Sequence, residues 1–157
     1  MRLAHFDYAS NGAYFITICT QHRQNLFRAV GASSARLQDW ALTDAGKIID
    51  RAIREIPLHY PQVSIDHYVV MPNHIHLLLQ IHANDRRAML APTVSRVIQQ
   101  FKGAVTKQLG KSIWQESFHD EIVRSEQDYL SYWNYIDGNP SRWFEDEYYT
   151  EQTAMKQ

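Results

Sequence analysis

Two histidines, His74 and His76, stand one residue apart at the head of an apolar run, Ile75-His76-Leu77-Leu78-Leu79-Gln80-Ile81. Side chains alternate between the faces of a strand. A strand here therefore presents Ile75, Leu77, Leu79 and Ile81 on one face and His74, His76, Leu78 and Gln80 on the other. Neighbouring imidazoles opposite an unbroken aliphatic stripe suit a divalent cation, because neutral imidazole is a common metal ligand. The same pair also fits a polar sheet face that binds nothing. A Met71-Pro72-Asn73 turn precedes it, which puts the pair at a sheet end where loops converge.

A second group with chemical potential lies near the C-terminus, in Tyr129-Leu130-Ser131-Tyr132-Trp133-Asn134-Tyr135-Ile136-Asp137-Gly138-Asn139-Pro140. Leu130, Trp133 and Ile136 recur at helical spacing and are expected to form a core seam. Tyr129, Tyr132 and Tyr135 form a stripe beside it, for which amphipathic packing with wet hydroxyls is the plain alternative to chemistry. Tyr135 and Asn139 are four residues apart and share a face if the helix reaches that far. Pro140 disfavours the helical conformation at Asn139.

The elements that must position these groups follow from patterning. Ala13–Thr20 is a β-branched and aromatic strand. A helix begins after the N-cap Thr43 with Asp44 in its first turn, carries the stripe Ile48, Ile49, Ala52 and Ile53, and exits between Pro57 and Pro61. Val63–Met71 and His74–His82 read as an antiparallel hairpin across Pro72-Asn73. Thr93–Leu109 is a second amphipathic helix closed by Gly110. A fourth strand lies within Ile113–Arg124, and a last helix spans Glu126–Ile136, ended by Gly138, Asn139 and Pro140. This order is the ferredoxin-like split βαβ pattern of an α+β fold: an antiparallel sheet, both main helices on one face, and an extra C-terminal helix. The two histidines would then face the open side of the sheet, a rigid platform with solvent access.

The 157 residues suffice for one domain, read as 1–157, with a sizeable core. The single Cys19 sits in an apolar run and reads as a buried thiol in a reducing compartment. No apolar run approaches a membrane span and no secretory leader is evident, so a cytoplasmic, soluble protein is expected. The net charge of −1 hides an asymmetry. From His82 to Lys111 six basic residues face one acid, whereas from Ser112 to Gln157 three basic residues face ten acids. The basic middle, with Arg86, Arg87, Arg96, Lys102 and Lys107, fits phosphate contacts and equally fits a solvated helix face.

Met71-Pro72-Asn73-His74-Ile75-His76-Leu77-Leu78-Leu79, Trp114-Gln115 with Phe118-His119-Asp120 and Ile122-Val123-Arg124, and Tyr135-Ile136-Asp137-Gly138-Asn139-Pro140 together resemble the REP-associated tyrosine transposases. These belong to the single-tyrosine HUH transposases of bacterial insertion sequences. The resemblance implies a metal-dependent nuclease that cuts and rejoins single-stranded DNA, on hairpin repeats, through a 5′-phosphotyrosine intermediate. His74 and His76 match the family's metal ligands, Asn139 a third ligand, and Tyr135 the nucleophile, acting with Mg²⁺ or Mn²⁺. The protein would be a monomer or a homodimer. The acidic C-terminal third and Ser141-Arg142-Trp143 depart from the family pattern. A histidine-triad nucleotide hydrolase needs a third histidine where Leu78 stands. A non-catalytic, domesticated binder of single-stranded nucleic acid remains the alternative.

Overall fold

β3 (His74–Ile81) is buried along its whole length. The structure is a computed structural model and describes residues 12–29, 41–82 and 92–150. On one side β3 pairs antiparallel with β1 (Gly12–Cys19), and on the other with β2 (Val63–Val70). The short β4 (His119–Ile122) adds to the outer edge of β1, giving the order β2-β3-β1-β4. With α1 (Asp44–His59) between β1 and β2 and α2 (Val94–Leu109) between β3 and β4, this is the expected α+β arrangement with a split βαβ order.

Local chemistry sets the helix ends. The Thr43 hydroxyl accepts from the Gly46 amide at 3.0 Å, and Thr93 from Arg96 at 3.1 Å, each satisfying a donor that the first helical turn leaves without a partner. Gly110 closes α2 at φ 78°, a left-handed conformation suited to glycine. α1 ends at His59, between Pro57 and Pro61 as expected, and carries Pro57 in its last turn. Ile53 and Ile56 are fully buried there, so packing holds the turn despite the missing amide.

One core lies between the sheet and the pair α1 and α2. Ile16, Ile18, Ile75, Leu77 and Leu79 meet Ile49, Ile53, Val97 and Phe101 there. Each such side chain contributes on the order of 1.5–3 kcal/mol by leaving water. Cys19 is buried, as its apolar context implied.

The opposite face of the sheet is not open. α3 (Glu126–Gly138) and a 3₁₀ segment (Asn139–Glu145) cover it, and Phe15, Val69, Met71 and Leu78 pack there with Tyr129, Ile136 and Trp143. The seam of α3 thus differs from the expected one. Tyr129 and Ile136 are its buried residues, while Leu130 is only half-buried. The Tyr129 hydroxyl is not wet but donates to the Asp66 carboxylate, which also accepts from Gln80. Asp66 sits where the β2–β3 register shifts between Ile65 and His67. Trp143 is 1% exposed, and burying so large a ring fixes the chain that follows α3 across the sheet.

Candidate active site

β3 places His74 and His76 on the face covered by α3, with their ring centroids 4.7 Å apart. They are 0% and 1% exposed, so solvent does not reach them as the sequence led us to expect. The cause is the segment after α3. Asp146 and Tyr148 lie against His74: the Tyr148 ring centroid is 4.5 Å from that imidazole, and an Asp146 Oδ2 is 3.8 Å from its Nε2.

Each imidazole is oriented through its other nitrogen. His74 Nδ1 is 2.8 Å from Asn73 Oδ1, an atom that only accepts, so Nδ1 carries the proton. The amide orientation of Asn73 is itself fixed, because its Nδ2 donates to Tyr148 O at 2.7 Å and Arg23 O at 3.3 Å. His76 Nδ1 pairs with Thr17 Oγ1 at 2.9 Å across the β1–β3 ladder. Burial drives the His74 pKa well below its usual range, helped by His76 and Arg23, and drives that of His76 down to about 3. Both rings are therefore neutral. In His74 the proton is on Nδ1 and Nε2 carries the lone pair, whereas the Thr17 hydroxyl facing His76 Nδ1 both donates and accepts and so leaves either tautomer of His76 open.

Those Nε2 atoms have no hydrogen-bond partner, and neither do Asn139 Nδ2 and Asp146 Oδ2, all buried. Buried polar atoms are nearly always satisfied. Imidazoles held by a hydrogen bond at Nδ1 and left open at Nε2 are the arrangement that metal-binding histidines show. The donor set fits a divalent cation: His74 and His76 would hold it, with the Asn139 amide beside them. Among the described residues no three His, Cys, Asp or Glu side chains converge closely enough to form a ligand group without other donors.

Tyr135 projects from α3 over His76, with ring centroids 5.3 Å apart at 68°. It is 40% exposed and stands at the mouth of the covered face. Asn139 adopts helical φ −59° and ψ −46° although Pro140 follows, so it does share the helix face of Tyr135. Burial raises the Tyr135 pKa, and the charges of Asp146 and Glu147 raise it further, while the nearby Asn139 amide opposes them. Tyr132 stacks on Phe15 at 4.5 Å and donates to Glu121 at 2.6 Å. Tyr129 is held by Asp66. Of the three tyrosines of the stripe, Tyr135 alone has its ring at the histidines and its face toward solvent. A cavity of about 610 Å³ opens beside it, walled by His76, Tyr132, Tyr148, Asp120 and Glu121.

The basic residues fall elsewhere. Arg86 and Arg87 lie outside the described residues. Arg96, Lys102 and Lys107 are on α2, whose buried side faces the other core, so they sit across the sheet from the histidines. The Lys102 ammonium already donates to Gln115 O at 2.7 Å and Glu116 O at 3.2 Å. Arg142, by contrast, lines a 310 Å³ cavity together with Tyr135 and Asn139.

Sequence reasoning did not find Asn73, Thr17, Asp146, Tyr148 or Arg142 as parts of this site. Asn73 was visible as the residue next to His74. The acid at Asp146 was visible only as part of an acidic tail with no periodicity.

No family model matches the chain. It is 32% identical to a Haemophilus influenzae protein named "Uncharacterized protein", over 96% of this chain and 92% of that one. It is 29% identical to a second protein of that organism, named "Putative REP-associated tyrosine transposase", over 85% of this chain and 73% of that one. Among solved structures it is similar to a REP-associated tyrosine transposase bound to a REP hairpin, with TM-score 0.60 and 23% identity, over 89% of this chain and 73% of that one. It is also similar to a transposase described as putative from Deinococcus radiodurans, with TM-score 0.50 and 16% identity, over 90% of this chain and 98% of that one.

Proposed function

We propose that this chain, a relative of the REP-associated tyrosine transposases in sequence and in fold, cuts and rejoins single-stranded DNA with Tyr135 as nucleophile. The observation that carries the proposal is the pair of buried, unpartnered Nε2 atoms of His74 and His76, with a half-exposed phenol over His76. A hairpin substrate is supported by the structural neighbour that was solved on a REP hairpin.

The chemistry divides between the residues. The Tyr135 hydroxyl gives up its proton as its oxygen attacks the scissile phosphorus, and the P–O3′ bond breaks. The DNA 5′ end is left as a phosphotyrosine ester, and the departing 3′ oxygen takes up a proton, so none is gained or lost overall. Return attack by a 3′-hydroxyl reverses the step and frees the phenol, so joining needs no nucleotide cofactor. A divalent cation, Mg²⁺ or Mn²⁺, supplies positive charge at the non-bridging phosphate oxygen. Asn73 and Thr17 hold the imidazoles with Nε2 directed into the site. The Asn139 amide, beside the phenol, favours its ionised form. Asp146 and Glu147 oppose ionisation, so the phenol is protonated at rest, and a cation held by the histidines would favour the phenolate.

The test is incubation of the protein with an end-labelled single-stranded hairpin and Mn²⁺, with chelator as control. Cleaved strand and a protein-linked fragment are expected. Tight hairpin binding with neither product would favour the non-catalytic binder instead.

A further inference from the structure

We infer that Asp146 is a protein ligand of the same cation, so that the site is two imidazoles, an amide and a carboxylate. This rests on the metal reading of His74 and His76. Asp146 enters from the turn that follows the 3₁₀ segment, a part of the chain to which the motifs assign nothing.

The side chain is 1% exposed and its Oδ2 has no hydrogen-bond partner. Its other oxygen is occupied, because Oδ1 accepts from the Tyr148 amide at 2.8 Å. Oδ2 is therefore aimed by the backbone rather than free to rotate away. What it faces is His74 Nε2, at 3.8 Å, too far for a hydrogen bond. A neutral imidazole nitrogen and a carboxylate oxygen are both lone-pair donors, and nothing between them holds them together. Adjacent donors on one octahedral ion with ligand distances of about 2.1 Å lie roughly 3 Å apart. The observed 3.8 Å separation is longer, so the carboxylate and imidazole would close on a bound ion by less than about 1 Å. The three groups His74, His76 and Asp146 do not yet converge on one point, so the ion would draw them together.

A second feature explains how Asp146 is kept there. Trp143 is buried in the core under the sheet, and Asn73, the residue that orients His74, also donates to Tyr148 O. The same asparagine thus fixes a histidine on one side and the carboxylate's turn on the other. A carboxylate in the set raises affinity for a divalent ion by supplying one formal negative charge, which Asn139 cannot supply.

The experiment is Mn²⁺ titration of the full chain, read by the loss of the free-ion electron paramagnetic resonance signal and without DNA, for wild type, Asp146→Asn, Asp146→Ala and His76→Ala. In Asp146→Asn the Oδ1 contact to Tyr148 can persist while an N–H donor replaces Oδ2. That donor can hydrogen-bond His74 Nε2 and occupy the lone pair. Circular dichroism and thermal melting without metal establish that each variant is folded. One Mn²⁺ per chain for wild type, with about tenfold or greater weakening in both Asp146 variants, is expected. Wild-type affinity in a folded Asp146→Asn overturns the inference while leaving the two-histidine site standing, provided His76→Ala has lost binding. Wild-type affinity in His76→Ala, or no binding by wild type, overturns both.

Discussion

Thr17 and His76 lie directly opposite each other in the β1–β3 ladder, and their side chains meet at 2.9 Å. The contact couples strand register to chemistry. A slip of one residue would turn His76 to the aliphatic core and Leu77 to the site. Thr17→Val keeps the shape and removes the hydroxyl, leaving the His76 ring without one of its orienting partners. Weaker Mn²⁺ binding by about tenfold is expected, with a thermal midpoint lowered only modestly, since one net hydrogen bond contributes about 1 kcal/mol. Unchanged binding would show that the His76 ring keeps its orientation without the Thr17 hydroxyl.

The burial of the histidines changes how their substitution must be read. Replacing either by Ala leaves a cavity, so lost stability does not by itself mark the residue as structural. Ligand linkage does discriminate. Mn²⁺ in excess should raise the thermal midpoint of wild type, because it binds the fold and not the unfolded chain. His74→Ala and His76→Ala should show no such rise. A rise of equal size in either variant would remove that residue from the site.

How much of this was legible in the sequence depends on how local the signal was. The cap Thr43, the stop at Gly110 and the alternation in β3 are set by neighbours within a few residues, and all three appear as expected. The resemblance to the transposases, carried by short motifs, agrees with the named relative and the shared fold. The covering of the second sheet face was not legible. It depends on Trp143 and Tyr148 meeting β3 from far along the chain, through a 3₁₀ segment with no repeating apolar period. For the same reason Tyr129 was read as wet: its partner Asp66 lies on another strand, at a register shift.

Trp143 supplies a direct stability test. Its ring is buried beside His74, with centroids 6.2 Å apart, and it anchors the turn that carries Asp146. Trp143→Ala should cost about 3–5 kcal/mol by denaturant unfolding. It should also weaken Mn²⁺ binding, since the turn loses its anchor. Loss of stability below about 1 kcal/mol would mean that the 3₁₀ segment holds its place without the ring.

Acid should destabilise the metal-free protein through the same histidines. The folded pKa of His76 is depressed to about 3, and that of His74 lies well below the ordinary histidine value of 6.5. Below about pH 6.5 the unfolded chain therefore takes up protons that the fold refuses. Their contribution is fully present above that pH and is lost as pH falls toward 3. Urea midpoints measured between pH 7 and pH 4 should fall, and fall less steeply in His76→Ala, which has one such group fewer. A parallel fall in both proteins would assign the acid sensitivity to other groups.

Contacts to DNA can be apportioned by salt dependence. Arg142 lies beside Tyr135 and Asn139, whereas Arg96 and Lys107 are across the sheet. Arg142→Ala should reduce the slope of log affinity against log salt for a single-stranded hairpin by about 1. If Arg96→Ala and Lys107→Ala reduce it instead, the strand runs over the α1–α2 face and the site must be reached from there.

The central claim is that Tyr135 becomes covalently joined to DNA, and the adduct itself is the most direct measurement. Wild type, Tyr129→Phe, Tyr132→Phe and Tyr135→Phe are each incubated with a single-stranded hairpin and Mn²⁺, denatured, digested and analysed by mass spectrometry. A nucleotide phosphate on Tyr135, present in wild type and in the first two variants and absent from Tyr135→Phe with hairpin binding retained, is the predicted result. A nucleotide on Tyr129, Tyr132 or Tyr148, or cleavage that persists in Tyr135→Phe, would contradict the account.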